Sequence, residues 1–318
     1  MLSPDLSVTI AGIVLANPVM PASGCFGYGE EYAPFFDLRR LGAIVVKGTT
    51  AEPCAGNPPP RLAETPGGML NAIGLQNPGA VAAREKIIAL QQLSVPVFIN
   101  VSGHSAAQYR AVIDALDDLA AVTAYEINIS CPNVKAGGMA FGTDPVVVAG
   151  LVRELRGATK KPLIIKLSPN VTDITAIAKA AEEAGADALS LINTLLGMAI
   201  DSERRRPVLA NLTGGLSGPA IKPVALRMVW QVTSAVEIPV IGMGGISSAR
   251  DAIEFLMAGA SAVAIGAANF TNPLVCPQTV DGISAYLAEH GFASVKEVVG
   301  LAKKEWQKIG VEAGCEKK

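Results

Sequence analysis

The sequence predicts an α/β fold, a closed (β/α)8 TIM barrel with loops inserted at its C-terminal mouth. Eight apolar runs of strand length alternate with segments of helix length. Hydrophobic residues make up 50% of the chain and aromatic residues 5%, which suits helices packed tightly on parallel strands. No shift in composition divides the 318 residues, so we expect one domain over residues 1–318. A doubly wound open sheet with two extra strands is the main alternative.

The order of strands and helices follows directly from this alternation. The predicted strands begin at Val19, Ala43, Val97, Tyr125, Leu163, Ala188, Val240 and Ala262. The predicted helices cover residues 30–40, 80–93, 106–119, 145–159, 174–184, 220–235 and 248–258. Gly185 stands where a glycine commonly ends a helix. A hairpin at residues 9–15 is expected to cap the bottom of the barrel.

Two insertions interrupt the alternation, at residues 49–78 and 195–216. Both lack a helical period, and the first is rich in Pro and Gly. Insertions of this length are usually functional or disordered. Residues 69–77 mix apolar and amide side chains, which favours an ordered loop packed on the protein.

Composition excludes several classes of protein. The net charge of −2 gives no basic surface for nucleic acid. The five cysteines are scattered at positions 25, 54, 131, 276 and 315, and the only histidines are His104 and His290, so neither a metal site nor a Ser-His-Asp triad is expected. Scattered thiols fit a reducing compartment. No signal peptide and no run of about 18 apolar residues is visible, so we expect a cytoplasmic protein without a membrane span.

Residues 125–138 contain a dense set of hydrogen-bonding side chains beside one thiol. It begins as a strand that places Glu126, Asn128 and Ser130 on one face, and it breaks at Pro132, which lacks an N–H group. Cys131 and Asn133 flank that proline. A barrel strand would therefore deliver amides, hydroxyls and one thiol to a ligand at the mouth.

Strands two to six end in a recurring set of side chains. These residues are Lys47, Asn100, Asn128, Lys166 and Asn193. Side chains at the C-terminal ends of barrel strands line the active site in proteins of this fold. Two cations and three amides, with no carboxylate at those five ends, suit a planar, polar and anionic ligand.

Glycines end strands seven and eight and indicate a phosphate site. Gly244 and Gly245 precede a helix with Ser247 or Ser248 as its N-cap, and Gly266 is followed by Ala267. Main-chain N–H groups at these two positions bind phosphate in many barrels, with help from a helix N-terminus. The turn is not the dinucleotide motif G-x-G-x-x-G, so we do not expect NAD to bind there.

A phosphate at that edge and lysines at the mouth favour a sugar phosphate or flavin mononucleotide (FMN). Lys166 could stabilise the anionic reduced form of a flavin. It could equally form a Schiff base, as in aldolases. The neighbouring thiol and amides favour the flavin.

Five segments resemble the dihydroorotate dehydrogenase family. They read Asn-Ile-Ser-Cys-Pro-Asn-Val-Lys at 128–135, Gly-Asn-Pro-Pro-Pro-Arg at 56–61, Asn-Ala-Ile-Gly-Leu-Gln-Asn at 71–77, Ile-Gly-Met-Gly-Gly-Ile at 241–246 and Val-Met-Pro-Ala-Ser-Gly at 19–24. The similarity spans nearly the whole chain. Cysteine at 131 resembles the soluble class 1, because the membrane-associated class 2 has serine there. The segment from Val134 to Gly138 and the following 141–145 resemble type B, the catalytic subunit of an NAD-linked complex.

The resemblance implies oxidation of (S)-dihydroorotate to orotate in de novo pyrimidine biosynthesis, with one FMN per chain. Cys131 is implied as the base that removes the C5 proton, while the C6 hydride passes to FMN. The implied substrate-binding residues are Lys47, Asn71, Ala72, Ile73, Gly74, Leu75, Asn128, Asn133, Asn193 and Thr194. The implied FMN-binding residues are Ser23, Lys47, Gly48, Asn100, Asn128, Lys166, Ile192, Gly218, Gly244, Gly245, Gly266 and Ala267. Ala267 departs from the family, which usually has Thr there; a main-chain contact to phosphate survives that change and a hydroxyl contact does not.

The resemblance also implies partners. This subunit would form a homodimer and bind an electron-transfer subunit that carries FAD and a 2Fe–2S cluster, giving a heterotetramer. Three alternatives stay open: a type A enzyme that uses fumarate, a related flavin barrel acting on another dihydropyrimidine, and a non-redox phosphate-binding barrel. Cys25, Cys54, Cys276 and Cys315 are expected to be structural or surface thiols.

Overall fold

The computed structural model of the chain describes residues 3–130 and 141–312. The strands of this part are β1 Val8–Ile10, β2 Ile13–Leu15, β3 Val19–Pro21, β4 Ile44–Val45, β5 Leu62–Thr65, β6 Gly68–Asn71, β7 Val97–Val101, β8 Val122–Asn128, β9 Leu163–Lys166, β10 Ala188–Leu191, β11 Leu195–Gly197, β12 Ile200–Asp201, β13 Arg206–Pro207, β14 Gly214–Ser217, β15 Val240–Met243 and β16 Ala262–Ile265. Its α-helices are α1 Ala80–Leu90, α2 Ala106–Leu116, α3 Pro145–Arg156, α4 Ile174–Glu183, α5 Lys222–Val232, α6 Ala249–Met257, α7 Ala268–Thr271, α8 Val275–Glu289 and α9 Leu301–Glu312.

Eight parallel strands form the barrel, in the order β3-β16-β15-β10-β9-β8-β7-β4. The two outer strands of this order meet where Gly42 N donates to Val19 O at 2.8 Å. Asn17 supports the same seam, because its Nδ2 donates to Arg40 O at 2.9 Å and its Oδ1 accepts from Val19 N at 3.0 Å. All eight predicted strands are present, and the predicted TIM barrel is confirmed.

The barrel strands are apolar because they are covered on both sides. Strands β7, β9, β10, β15 and β16 are buried along their whole length. On the outer face of β8, the Tyr125 hydroxyl donates a hydrogen bond to Asp117 Oδ1 at 3.2 Å, at the C-terminal end of α2. Since neighbouring residues of a strand point to opposite faces, Glu126 and Asn128 face the barrel interior. The C-terminal ends of the strands therefore carry the polar side chains.

Each of the two insertions contributes strands to one small sheet, which the sequence analysis did not predict. The order of this sheet is β11-β14-β6-β5, with antiparallel pairs throughout. It joins residues near 70 to residues near 215, a pairing that the local sequence does not encode. Leu70 lies fully buried in this sheet, so the prediction of an ordered, packed segment at 69–77 is correct for these strands.

The helix predicted at residues 30–40 is wrong. Residues 30–36 form turns, and only Leu38–Arg40 forms a single 3₁₀ turn, capped by Asp37. Pro34 interrupts the segment, because it has no N–H group for a helical hydrogen bond. Instead, the Tyr32 ring stacks on Phe26 with ring centroids 4.1 Å apart.

Helices α7 to α9 follow the last barrel strand and were absent from the prediction. Helix α8 packs against β3 and α6, and so it covers the side of the barrel where the segment before β4 has no α-helix. The other predicted helices are present, with ends that differ by up to three residues. The predicted hairpin is also present as β1 and β2, and its Ile10 and Leu15 are fully buried in the core.

No helix in the described part of the chain is long and apolar enough to cross a membrane.

Gly42 offers a test of the barrel seam. A Cβ atom there would lie far inside van der Waals contact of Asn17 O and 3.2 Å from Val19 O, both of which are main-chain atoms. We expect Gly42→Ala to lower the free energy of unfolding by about 3 kcal/mol. Gly150→Ala is the matched control, because Gly150 lies in α3 and no atom outside the helix backbone lies within 4 Å of the added Cβ. Since alanine favours a helix more than glycine does, this change should raise the free energy of unfolding by up to about 1 kcal/mol. Urea unfolding measures both, and equal effects would contradict the role of Gly42.

Candidate functional site at the mouth of the barrel

Strands β7 to β10 deliver the polar groups of the mouth at matching heights. Asn100 pairs with Glu126 across β7 and β8, and Lys166 pairs with Asn128 on one side and Ser190 on the other. Because these strands are parallel, their C-terminal ends lie at the same end of the barrel. The predicted strand-end residues are thus brought together.

Amide side chains form one hydrogen-bonded group. Asn193 Nδ2 donates to Asn128 Oδ1 at 3.2 Å and to Ser130 Oγ at 2.9 Å. Asn128 Nδ2 in turn donates to Ser102 Oγ at 3.2 Å, and Thr194 N donates to Asn193 Oδ1 at 2.9 Å. The structure therefore joins three of the predicted substrate-binding residues, with their orientations fixed by mutual contacts.

A buried ion pair forms the floor beneath these amides. Lys166 Nζ lies 3.7 Å from Glu126 Oε2, and both side chains are no more than 5% exposed. Lys166 Nζ donates to Ser23 Oγ at 3.0 Å. Glu126 accepts from Asn100 Nδ2 at 2.6 Å and from Ser190 Oγ at 2.8 Å. The five strand ends hold no carboxylate, as predicted, but one lies two residues below the end of β8.

Lys47 is half-buried at the rim of the mouth. Its main-chain N–H donates to Gly27 O at 2.9 Å. Burial lowers the pKa of Lys47 below the usual range of a lysine. Burial also raises the pKa of the Cys25 thiol to about 11, although the charges of Lys166 and Lys47 act in the opposite direction. Cys25 is therefore a neutral thiol at pH 7. Burial likewise raises the pKa of Cys276 to about 12, which agrees with a structural role for both.

A polar cavity of about 320 Å³ opens beside the amides. Its walls come from β8, β9, the turn after β10 and the small sheet, through Asn57, Ala72, Ser130, Thr143, Ser168, Asn170, Asn193, Thr194, Leu196, Asn211, Thr213, Gly214 and Gly215. This volume is that of a site for a small molecule. Ala72, Asn193 and Thr194 of the predicted substrate set line it.

Asn57 and Asn71 hold the segment at 71–75 against this cavity. Asn57 Nδ2 donates to Ala72 O at 2.9 Å, and Asn57 N donates to Ile73 O at 3.0 Å. Asn71 Nδ2 donates to Gly215 O at 3.2 Å. Gly74 has a φ of 72°, and a Cβ there would lie 2.6 Å from Asn57 Cγ, so only glycine fits this close approach.

The glycines of the predicted phosphate site approach Ile192, Gly218 and Cys25 closely. Gly244 and Gly245 have positive φ values, and Cβ atoms at these positions would lie 3.1 Å from Ile192 Cγ1 and 2.9 Å from Gly218 O, respectively. Across the gap, a Cβ at Gly266 would lie 3.7 Å from Cys25 Sγ. Gly48 lies beside Asn100, because its Cβ would meet Asn100 Oδ1 at 3.0 Å.

At the N-terminus of α6, the main-chain N–H groups of Ser247 and Asp251 are already bonded within the protein. Ser248 is the N-cap of this helix and accepts from Asp251 N, while Ser247 N donates to Asp251 Oδ2 at 3.0 Å. Burial favours the neutral form of Asp251, but hydrogen bonds from Lys222, Ser247 and Ser248 outweigh it and lower the pKa to about 2. The carboxylate therefore stays ionised beside the N-terminus of α6, where negative charge is favourable.

Main-chain donors without an acceptor remain at the predicted phosphate site. Within the described residues, nothing accepts a hydrogen bond from the N–H groups of Gly245, Gly266 or Ala267. They lie at the ends of β15 and β16, and Ala267 needs no hydroxyl for this contact. These free N–H groups and the incompletely bonded Lys166 ammonium fit a phosphorylated, polar ligand that extends across the barrel.

Two predicted residues, Cys131 and Asn133, lie outside the described residues. Glu126 and Ser190 were not predicted as parts of the floor, although the period of β8 placed Glu126 on the same face as Asn128. Asn57 and Asn170 were not predicted as site residues either. Asn170 Nδ2 donates to Thr194 O at 3.1 Å and its Oδ1 accepts from Leu196 N at 2.9 Å, which fixes the turn after β10. The position of Asn170, four residues after Lys166, was the available signal.

Among residues 3–130 and 141–312, no group of three or more His, Cys, Asp or Glu side chains is arranged to hold a metal ion.

The fold and the mouth define a (β/α)8 barrel protein with a ligand site of cations, amides and free main-chain donors. The profile of the dihydroorotate dehydrogenase family matches residues 5–287. The chain is 58% identical to "Dihydroorotate dehydrogenase B (NAD(+)), catalytic subunit" of Geotalea daltonii, over 95% of this chain and 100% of the relative. Proteins of the same name from Bacteroides thetaiotaomicron and Geobacter sulfurreducens are each 57% identical, over 93% and 94% of this chain and 98% and 99% of the relatives. The chain belongs to the dihydroorotate dehydrogenase family.

Proposed function

We propose that the chain is the catalytic subunit of an NAD-linked dihydroorotate dehydrogenase, which oxidises (S)-dihydroorotate to orotate in pyrimidine biosynthesis. One observation carries the proposal: Lys47, Lys166 and the Asn128–Asn193 pair meet at one mouth, in a chain that is 57% to 58% identical to proteins of that name. Orotate is a small, planar and anionic ring with amide donors and acceptors. Cations and amides are the groups that recognise such a ligand.

The substrate is assigned to the cavity and its rim. Lys47 supplies the cation for the carboxylate, and Asn71, Asn128, Asn193 and Thr194 supply groups for the ring amides. The segment at 72–75, with Asn133, completes the set. Asn57, Asn170 and Ser130 also line the cavity, and we assign them a supporting role because their hydrogen bonds hold Ala72, Thr194 and Asn193.

FMN is assigned to the floor and the phosphate edge, where the free N–H groups of Gly245, Gly266 and Ala267 fit its phosphate. Ser23, Gly48, Asn100, Ile192, Gly218 and Gly244 would line it. When bound, FMN supplies the acceptor for the hydride from C6 of dihydroorotate. Lys166 offers a positive charge that is most useful when the cofactor becomes anionic.

Cys131 is assigned as the base that takes the C5 proton. A free thiol has a pKa of about 8.5. Cys131 must be deprotonated to act, so the reaction should become faster as pH rises until the thiol has titrated. The hydrogen-bonded group of Asn128, Ser130 and Asn193 would orient the substrate, and Cys131 directly follows Ser130 in the sequence.

Partner subunits complete the proposal. The relatives are named catalytic subunits, and we assign to this chain a homodimer that binds an electron-transfer subunit with FAD and a 2Fe–2S cluster. The resulting heterotetramer would act in the cytoplasm. This chain has no G-x-G-x-x-G segment, and therefore NAD would be reduced on the partner.

The visible spectrum of the purified chain tests the central claim. We expect a yellow protein with one FMN per chain that is bleached by dihydroorotate without oxygen. Cys131→Ala should bind orotate yet reduce its flavin at least 100-fold more slowly, in keeping with the about 10²–10⁴-fold effect of a positioned base. Cys131→Ser should be slow and need higher pH. A colourless protein that cannot be reconstituted with FMN would contradict the assignment of FMN. Bleaching of the Cys131→Ala variant at near the wild-type rate would contradict the assignment of Cys131 as the base.

The pH dependence of orotate binding tests Lys47. A lysine is charged below its pKa, and burial lowers that pKa, so affinity should be constant near pH 7 and fall at a lower pH than for an ordinary lysine. Lys47→Ala should weaken binding about 10- to 100-fold at pH 7, as expected for a charge-assisted hydrogen bond, and remove this pH dependence. Calorimetric titration should use the Cys131→Ala background, so that the thiol does not titrate. If the protein that keeps Lys47 bound orotate with unchanged affinity up to pH 10.5, the assignment would be contradicted.

NAD reduction should require the second subunit. The isolated chain should reduce an artificial dye with dihydroorotate but form no NADH. NADH should appear after addition of the FAD and 2Fe–2S subunit. Robust NADH formation by the single chain would refute the assigned division of labour, and fast reduction of fumarate would instead identify a fumarate-linked enzyme.

A further inference from the structure

We propose that Glu126 is a positioning residue that sets the charge of the barrel floor and thereby holds the reduction potential of the bound flavin low. This inference rests on the proposed function, because it concerns a flavin above that floor. It assigns a role to a buried carboxylate that neither the substrate set nor the FMN set contains.

The geometry of Glu126 differs from that of a simple salt bridge. Its two oxygens accept from two neutral donors, Asn100 Nδ2 at 2.6 Å and Ser190 Oγ at 2.8 Å. Lys166 Nζ lies at 3.7 Å from Oε2, beyond hydrogen-bond length. Glu126 therefore offsets the charge of Lys166 but accepts no hydrogen bond from the Lys166 ammonium group.

Lys166 consequently keeps donors for a ligand. An ammonium group has three N–H donors, and within the described residues Lys166 uses one of them, on Ser23 Oγ at 3.0 Å. Ser23 precedes the turn near Gly266, on the side of the phosphate edge. The cation is thus held between the carboxylate below it and the mouth above it.

Glu126 also fixes which way Asn100 faces. An ionised carboxylate only accepts hydrogen bonds, so the NH₂ group of Asn100 must point to it. Asn100 Oδ1 then faces Gly48, where an added Cβ would lie 3.0 Å away. The mouth receives an acceptor at this position rather than a donor.

The electrostatic consequence has a definite sign. With both members ionised, the pair is neutral, and charges in a site that excludes water interact strongly. Reduction adds negative charge to the flavin, which Lys166 stabilises and Glu126 opposes. Without Glu126, the reduced flavin would be overstabilised, and electrons would be harder to pass to NAD, a weak oxidant. The carboxylate thus tunes the flavin for an NAD-linked reaction.

The test is the two-electron reduction potential of FMN in the purified chain, measured against a reference dye at pH 7. Glu126→Gln is nearly isosteric and keeps an acceptor for Asn100. It should favour reduction by about tenfold or more, which is about 30 mV for two electrons. Glu182→Gln is the matched control, since Glu182 accepts from Glu237 N and Ile238 N just before β15, at the opposite end of the barrel. Its potential should equal that of the wild type.

Lys166→Met should lower the potential, and the double variant Glu126→Gln/Lys166→Met should lie above Lys166→Met. This last comparison decides the matter if Glu126→Gln alone does not fold, because the double variant leaves no unpaired charge. If Glu126 had only a structural role, Glu126→Gln would lower the melting temperature and the affinity for FMN without raising the reduction potential. An unchanged or lower potential in Glu126→Gln overturns the inference while the wild type still bleaches with dihydroorotate; a wild type that binds no FMN overturns the proposed function as well.

Discussion

Closure of the parallel barrel is the constraint on which the site depends. The seam between β3 and β4 is made by main-chain hydrogen bonding at Gly42 and by the side chain of Asn17, not by a long ladder. Once the barrel is closed, the parallel direction of all eight strands brings every C-terminal end to one mouth. Side chains from distant parts of the sequence, such as Ser23 and Lys166, then meet at 3.0 Å. No local segment could assemble this arrangement by itself.

The site has two physically different halves. The floor belongs to the barrel, where buried strands hold Glu126, Lys166 and Asn100 with almost no exposure to water. The wall belongs to the small sheet, whose strands β6 and β14 are partly exposed and carry Asn71 and Gly215. The charges of Glu126 and Lys166 lie in the buried half, and the more exposed half contributes amides and glycines that shape the cavity. This division suits a site in which a cofactor is retained and a substrate must enter and leave.

The barrel and most strand-end residues could be predicted because their signal is local. A buried parallel strand is a continuous apolar run, and a polar residue at its end stands out against that run. The small sheet could not be predicted in this way. Its strands are three or four residues long and contain glycines such as Gly214 and Gly215, which are needed because Asn71 and Thr194 approach closely. The segment at 30–40 was predicted as a helix, but it contains Pro34, and its Tyr32 ring stacks on Phe26 within a series of turns.

Glu126 illustrates why a site can be only partly predicted even when its elements are correct. The period of β8 assigned its side chain to the interior, but the sequence does not say which interior groups share a height. That information lies in the register, which sets Asn100 beside Glu126 and Ser190 beside Lys166. A carboxylate in a dry interior must be paired or hydrogen-bonded, so its presence constrains three neighbouring strands at once. The residues around the ligand are therefore determined by strand ends, whereas their charge balance is determined one layer lower.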